Sequence, residues 1–173
     1  MNYKKCVYFV EGPCEEKLIN ALNKVQPYLL NPGKPNVHNV VQELIPRNTI
    51  IRIPQGTTVV FVFDTDIEKT DILKRNIEHV KTYVGQVKLV NIAEVWNFED
   101  ELVRATDVTR VQDFTKSASV KDFKADFCRM KNENCRNALK RHHFDFSKLW
   151  VTKPPKSFSF IKQGVEKIRV NKK

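Results

Sequence analysis

A chain of 173 residues, 41% hydrophobic and 29% charged, can bury a full apolar core as one domain without disulfides or a structural metal. Its clearest apolar run, Val59–Phe63, is far too short for a membrane-spanning helix, so no membrane partner is expected. The formal charge of +10 is uneven: residues 1–112 carry 14 Lys+Arg against 14 Asp+Glu, and residues 113–173 carry 16 against 6.

Met1–Lys5 leads directly into a strand-like segment, with no apolar stretch of the kind that opens a secretory signal. A cytoplasmic location is therefore expected. The cysteines are Cys6, Cys14, Cys128 and Cys135. A reducing compartment argues against disulfides, and the absence of a CxxC pair argues against a zinc ribbon.

Cys6–Val10 is a nearly continuous apolar run, the pattern of a strand buried on both faces. It ends at Glu11-Gly12-Pro13, and Pro13 suits a first helical turn. Leu18, Ile19, Leu22 and Val25 follow at helical spacing. Pro27 and the Pro-, Gly- and Asn-rich stretch Asn31–Asn36 predict a loop. Thr49–Ile53 reads as a strand, closed by a turn at Pro54-Gln55-Gly56. Val59–Phe63 is the strongest strand signal and runs into Asp64-Thr65-Asp66. A helix follows, with Ile72, Leu73, Ile77, Val80 and Val84 as its apolar face and Gly85 at its C-cap. Val87–Ile92 alternates like a further strand, and Phe98–Ala105 reads as a short helix. Residues 113–145 read as helical, and Lys153-Pro154-Pro155-Lys156 breaks regular structure. Strands alternating with helices predict an α/β fold: a mostly parallel, Rossmann-like sheet flanked by helices. The charge boundary divides it into a core, 1–112, and a basic, largely helical C-terminal extension, 113–173, packed on that core.

In an open α/β sheet, chemistry gathers at the carboxyl ends of the strands. Glu11 ends the first strand, and Asp64 and Asp66 end the strongest one. If those strands are neighbours, three anions converge, and a cation is needed to offset their repulsion. Oxygen-only donors suit Mg2+. Capping of the following helix is the plainer role for Asp64 and Asp66.

An apolar strand ending in Glu-Gly, with a later one ending in Asp-x-Asp, resembles the Toprim domain of topoisomerases, bacterial primases and several nucleases. The residues are Val7-Tyr8-Phe9-Val10-Glu11-Gly12 and Val59-Val60-Phe61-Val62-Phe63-Asp64-Thr65-Asp66. The first extends through Glu15 and Leu18 to a form similar to the Toprim nucleases of the overcoming-lysogenization-defect (OLD) type. Asn97-Phe98-Glu99 also resembles a motif of RloB-like defence proteins.

The resemblance covers roughly the first hundred residues. It implies Mg2+ or Mn2+ held by Glu11, Asp64 and Asp66, with Glu15 and Glu99 as further ligands. Glu16 is an alternative to Glu15, and Glu94 and Glu101 compete with Glu99. Glu11 would serve as ligand or as general acid/base. The implied activity is metal-dependent phosphodiester hydrolysis of DNA or RNA, with phage defence as one setting. A non-catalytic nucleic-acid-binding module and primase-like nucleotidyl transfer are the rivals. A separately encoded ATPase and a homodimer are the further partners it implies. The sequence departs from the family where Ile67-Glu68-Lys69 replaces a glycine common shortly after Asp-x-Asp.

The basic last third supplies candidate nucleic-acid contacts in Arg136, Lys140, Arg141, Lys153 and Lys156, beside Phe144, Phe146 and Trp150. For the three aromatics, a place in the core is the stronger expectation. Cys128, Cys135 and His142 fall seven apart, too far along one continuous helix to share a zinc ion.

Overall fold

The computed structural model describes residues 5–85 and 87–170, so the basic end 171–173 lies outside the described residues. Four strands, β1 (Cys6–Val10), β2 (Gly33–Val37), β3 (Thr58–Asp64) and β4 (Lys88–Glu94), form one parallel sheet in the order β2-β1-β3-β4. The α/β architecture read from the sequence is the one observed. Central β3 is buried almost throughout, which its unbroken Val-Val-Phe-Val-Phe run requires.

Period-two alternation sends side chains to opposite faces. Tyr8, Val10, Val60, Val62, Val90 and Ile92 share one core with Leu18, Ile19 and Leu22 of α1 (Pro13–Lys24). Phe9, Val59, Phe61 and Phe63 share the other with Leu73, Ile77 and Val80 of α3 (Asp71–Tyr83). From β1 the chain crosses by α1 to β2 on one side; from β3 it crosses by α3 to β4 on the other. The direction of winding therefore reverses between β1 and β3, which opens a crevice at their carboxyl ends.

Several local expectations are corrected. The loop expected at Asn31–Asn36 contains β2, an edge strand paired only with β1. Proline is tolerated on an edge, where its missing N–H costs no ladder bond. Gly33 is required there, since a Cβ would lie 2.2 Å from the Cys6 carbonyl oxygen. The strand expected at Thr49–Ile53 is instead the short helix α2 (Arg47–Ile50) and a turn. Ile50 and Ile53 are buried while Ile51 is exposed, a period of three rather than two. Val84, not Gly85, caps α3, through its N–H to the Val80 carbonyl.

The helix α4 (Phe98–Arg104) forms as expected, its first turn closed by the Asn97 side chain accepting from Asp100 N–H. The 113–145 stretch divides into α5 (Val120–Arg129) and α6 (Asn132–Arg141). Beyond α6, helical structure among the described residues is limited to short 3₁₀ turns at Lys156–Phe158 and Val165–Lys167. Phe123, Phe127, Cys135, Leu139 and Trp150 enter the same core as α1 and the sheet. Bridges from Arg169 to Leu30 and from Gln163 to Asn91 fasten the last segment to the body of the fold. Among the described residues no helix is long and apolar enough to cross a membrane.

Candidate metal centre

The register between β3 and β4 sets Asp64 beside Glu94. Both follow the alternation of Val60 and Val62, and of Val90 and Ile92, so both face the α1 side. Glu15, on the first turn of α1, comes down on them from above. One carboxylate oxygen from each of Glu15, Asp64 and Glu94 lies within 4.8 Å of the others. Glu15 and Glu94 are buried, and Asp64 is half-buried. Gly12 leaves room for this placement, because a Cβ there would stand 3.0 Å from Glu15 Oε2.

Three oxygens in this group, Glu15 Oε2, Asp64 Oδ1 and Glu94 Oε2, are buried with no N–H or hydroxyl donor, and Asp64 and Glu94 can bond to each other only when one of them keeps its proton. The other Glu94 oxygen accepts from the Trp150 indole N–H at 2.8 Å. Burial is the first cause that lifts the carboxyls, and the neighbouring anions add to it. Glu15 is pushed up to about 7, and Asp64, with Glu11 as the next contributor, to about 8. Glu94 is raised well above the usual range by burial, then by Glu15 and Asp64.

Glu11 stands at the crevice between β1 and β3. It accepts from the Asp64 backbone N–H at 3.0 Å and from Asn39 Nδ2 at 2.8 Å. Its carboxyl is raised, chiefly by burial. Glu11, Glu15 and Asp64 line a cavity of about 400 Å³ with Phe98, Glu99, Lys124, Cys14 and Cys128. Glu99 pairs with Lys124 of α5 at 2.9 Å, which places a cation on the wall of an otherwise acidic cavity.

Of the residues the sequence nominated, Glu15 and Asp64 are thus in the cluster, and Glu11 and Glu99 are on the cavity wall. Asp66 is exposed in the loop beyond β3, near enough to Glu11 to help raise its carboxyl. Glu94, offered by the sequence only as a rival to Glu99, completes the cluster. A signal for it existed: Val90-x-Ile92-x-Glu94 repeats the pattern Val60-x-Val62-x-Asp64. Glu101, the other rival, has a structural task, accepting from the backbone N–H of Val95 and of Trp150 and pairing with Arg104.

The basic candidates lie elsewhere. Arg136 and Lys140 border a groove with Val25, Gln26 and Pro27, beyond the C-terminal end of α1, whereas the carboxylates meet at its N-terminal end. Arg136 donates to the Pro27 carbonyl at 3.1 Å. Arg141, Lys153 and Lys156 are exposed. Trp150 is fully buried, and Phe144 and Phe146 pack partly buried against the core. His142 and Cys135 serve separate ends: His142 lies 3.2 Å from Asp107, and Cys135 is buried.

No family model, curated protein or solved structure matches this chain. Fold and site together describe an α/β protein with a doubly wound parallel sheet and an acidic cleft at its switch point.

Proposed function

We propose that this protein is a divalent-metal-dependent phosphodiesterase acting on nucleic acid, with Mg2+ or Mn2+ held by Glu15, Asp64 and Glu94. One observation carries the reading: carboxylate oxygens of Glu15, Asp64 and Glu94, from three elements, lie within 4.8 Å of one another, and each residue keeps a buried oxygen that no N–H reaches. Burying even one unpaired carboxylate is costly, and a hard cation is the ligand that removes that cost for all three. The place of the cluster at the carboxyl ends of β3 and β4, beside the crevice that Glu11 borders, and the Toprim resemblance of Glu11-Gly12 and Asp64-Thr65-Asp66, support the same reading.

When bound, such an ion supplies Lewis acidity toward a phosphate oxygen and a source of hydroxide near neutral pH. The protein does the rest. Glu11, with its raised carboxyl at the cavity wall, is placed to hold or pass a proton beside the cluster. Lys124 offers a positive charge to a phosphate entering the cavity. In this reading Asp66 works from the rim rather than the floor. The excess charge of the last third holds the polyanion.

The test is a Mn2+ titration followed by thermal melting, paired with cleavage assays on DNA and RNA. The wild type is expected to gain several degrees in millimolar Mn2+ and to shorten one of the two substrates. Asp64→Ala is expected to lose both effects while keeping its fold. Full metal-dependent cleavage by Asp64→Ala would sink the assignment. Metal stabilisation without cleavage would favour a binding module, and extension of a primed template would favour nucleotidyl transfer.

A further inference from the structure

Cys14 and Cys128 lie 114 residues apart in the sequence and meet in the wall of the acidic cavity. Their sulfurs are 3.4 Å apart. Cys14 is in the first turn of α1, next to Glu15; Cys128 is in the last turn of α5, one turn after Lys124. Both thiols are free, and both line the cavity. Cys14 is buried and Cys128 is partly buried, so Cys128 is the more accessible of the two. A disulfide needs the sulfurs at about 2.05 Å, so they must approach by a little over 1 Å to bond.

We infer that Cys14 and Cys128 are an oxidisable pair, which a hydroperoxide converts into a disulfide in the wall of the cavity. Cys128 attacks the terminal peroxide oxygen, the O–O bond breaks, and Cys128 becomes a sulfenic acid as water or an alcohol leaves. Cys14 then attacks the Cys128 sulfur, the S–OH bond breaks, and the hydroxyl leaves as water with the Cys14 proton. The two thiols lose two electrons and the peroxide gains them. The new bond ties the first turn of α1, which carries Glu15, to α5, which carries Lys124. Glu15, next to Cys14, is then no longer free to settle on an ion.

The crosslink is tested on the full, metal-free chain, so its outcome is separate from that of metal binding. The protein is treated with hydrogen peroxide, its remaining thiols are alkylated, and its peptides are weighed. The expected product joins the Cys14 and Cys128 peptides, leaves Cys6 and Cys135 alkylated, and reverts with dithiothreitol. Only a second readout rests on the proposed metal site: oxidised wild type should need at least tenfold more Mn2+ for the same rise in melting temperature. Cys128→Ser, or Cys128→Ala if the serine variant does not fold, should show the same Mn2+ response before and after peroxide. Absence of the Cys14–Cys128 product, or pairing of either cysteine with Cys135, overturns the inference. A crosslink that leaves the Mn2+ response of wild type unchanged overturns its control of the cavity.

Discussion

Asp64 holds its proton more tightly folded than unfolded, because burial and the charge of Glu11 both penalise its ionised form. Such a group contributes stability that is complete below its ordinary pKa and lost as pH rises through its folded value. The window runs from 3.8 to about 8 for Asp64, and from 4.5 to about 7 for Glu15. The metal-free protein should therefore lose stability between about pH 4 and pH 8, on the order of a few kcal/mol. Melting curves across that range check this, and Asp64→Asn should give a visibly flatter profile than wild type. Equal slopes for the two would show that Asp64 does not titrate as described. At this scale the sequence exposed two of the three members of the cluster. Glu15 and Asp64 carry their own motif, whereas Glu94 joins only through the pairing of β3 with β4, a long-range register that no single segment contains.

Elements that follow their own periodicity were the legible ones. The continuous runs of β1 and β3 and the apolar stripes of α1 and α3 identify themselves, because each buries the faces its sequence makes apolar. Elements whose reason lies in a neighbour were not. The strand β2 has a sequence, Gly-Lys-Pro-Asn-Val, with the composition of a loop, and becomes a strand because β1 offers a free edge. Its register depends on the close approach of Gly33 to Cys6. Gly33→Ala should cost about 3 kcal/mol by overpacking against backbone that has no room to yield. Urea denaturation measures it, and a loss below about 1 kcal/mol would mean that the edge shifts freely.

For the molecule as a whole, the last third is part of the site's support rather than an appendage. Trp150 reaches back to give its indole N–H to Glu94 and its backbone N–H to Glu101, so the floor of the cluster depends on residues far along the chain. Trp150→Phe leaves the Glu94 oxygen without its donor and should destabilise the fold by roughly 2 kcal/mol. Chemical denaturation reads that loss, and a Mn2+ titration should show weaker binding as well; wild-type values in both would remove Trp150 from the site. Charge asymmetry pointed to the last third, but not to this contact. Indoles are read as core from sequence, and which carboxylate one meets is a property of the packed fold. The geometry also separates roles: Arg136 and Lys140 sit a helix length, about 18 Å, from the carboxylates, so a nucleic acid touching both would have to follow α1.

The bond between Trp150 and Glu94 has an optical consequence. Of the chain's two tryptophans, Trp96 is 59% exposed to solvent, while Trp150 is fully buried with its N–H on a carboxylate of the cluster. Any change of charge at Glu94, by proton or by cation, alters the field across the Trp150 ring directly. The protein thus carries an intrinsic fluorophore wired to the floor of its own cleft, with Trp96 as a solvent-facing reference in the same spectrum.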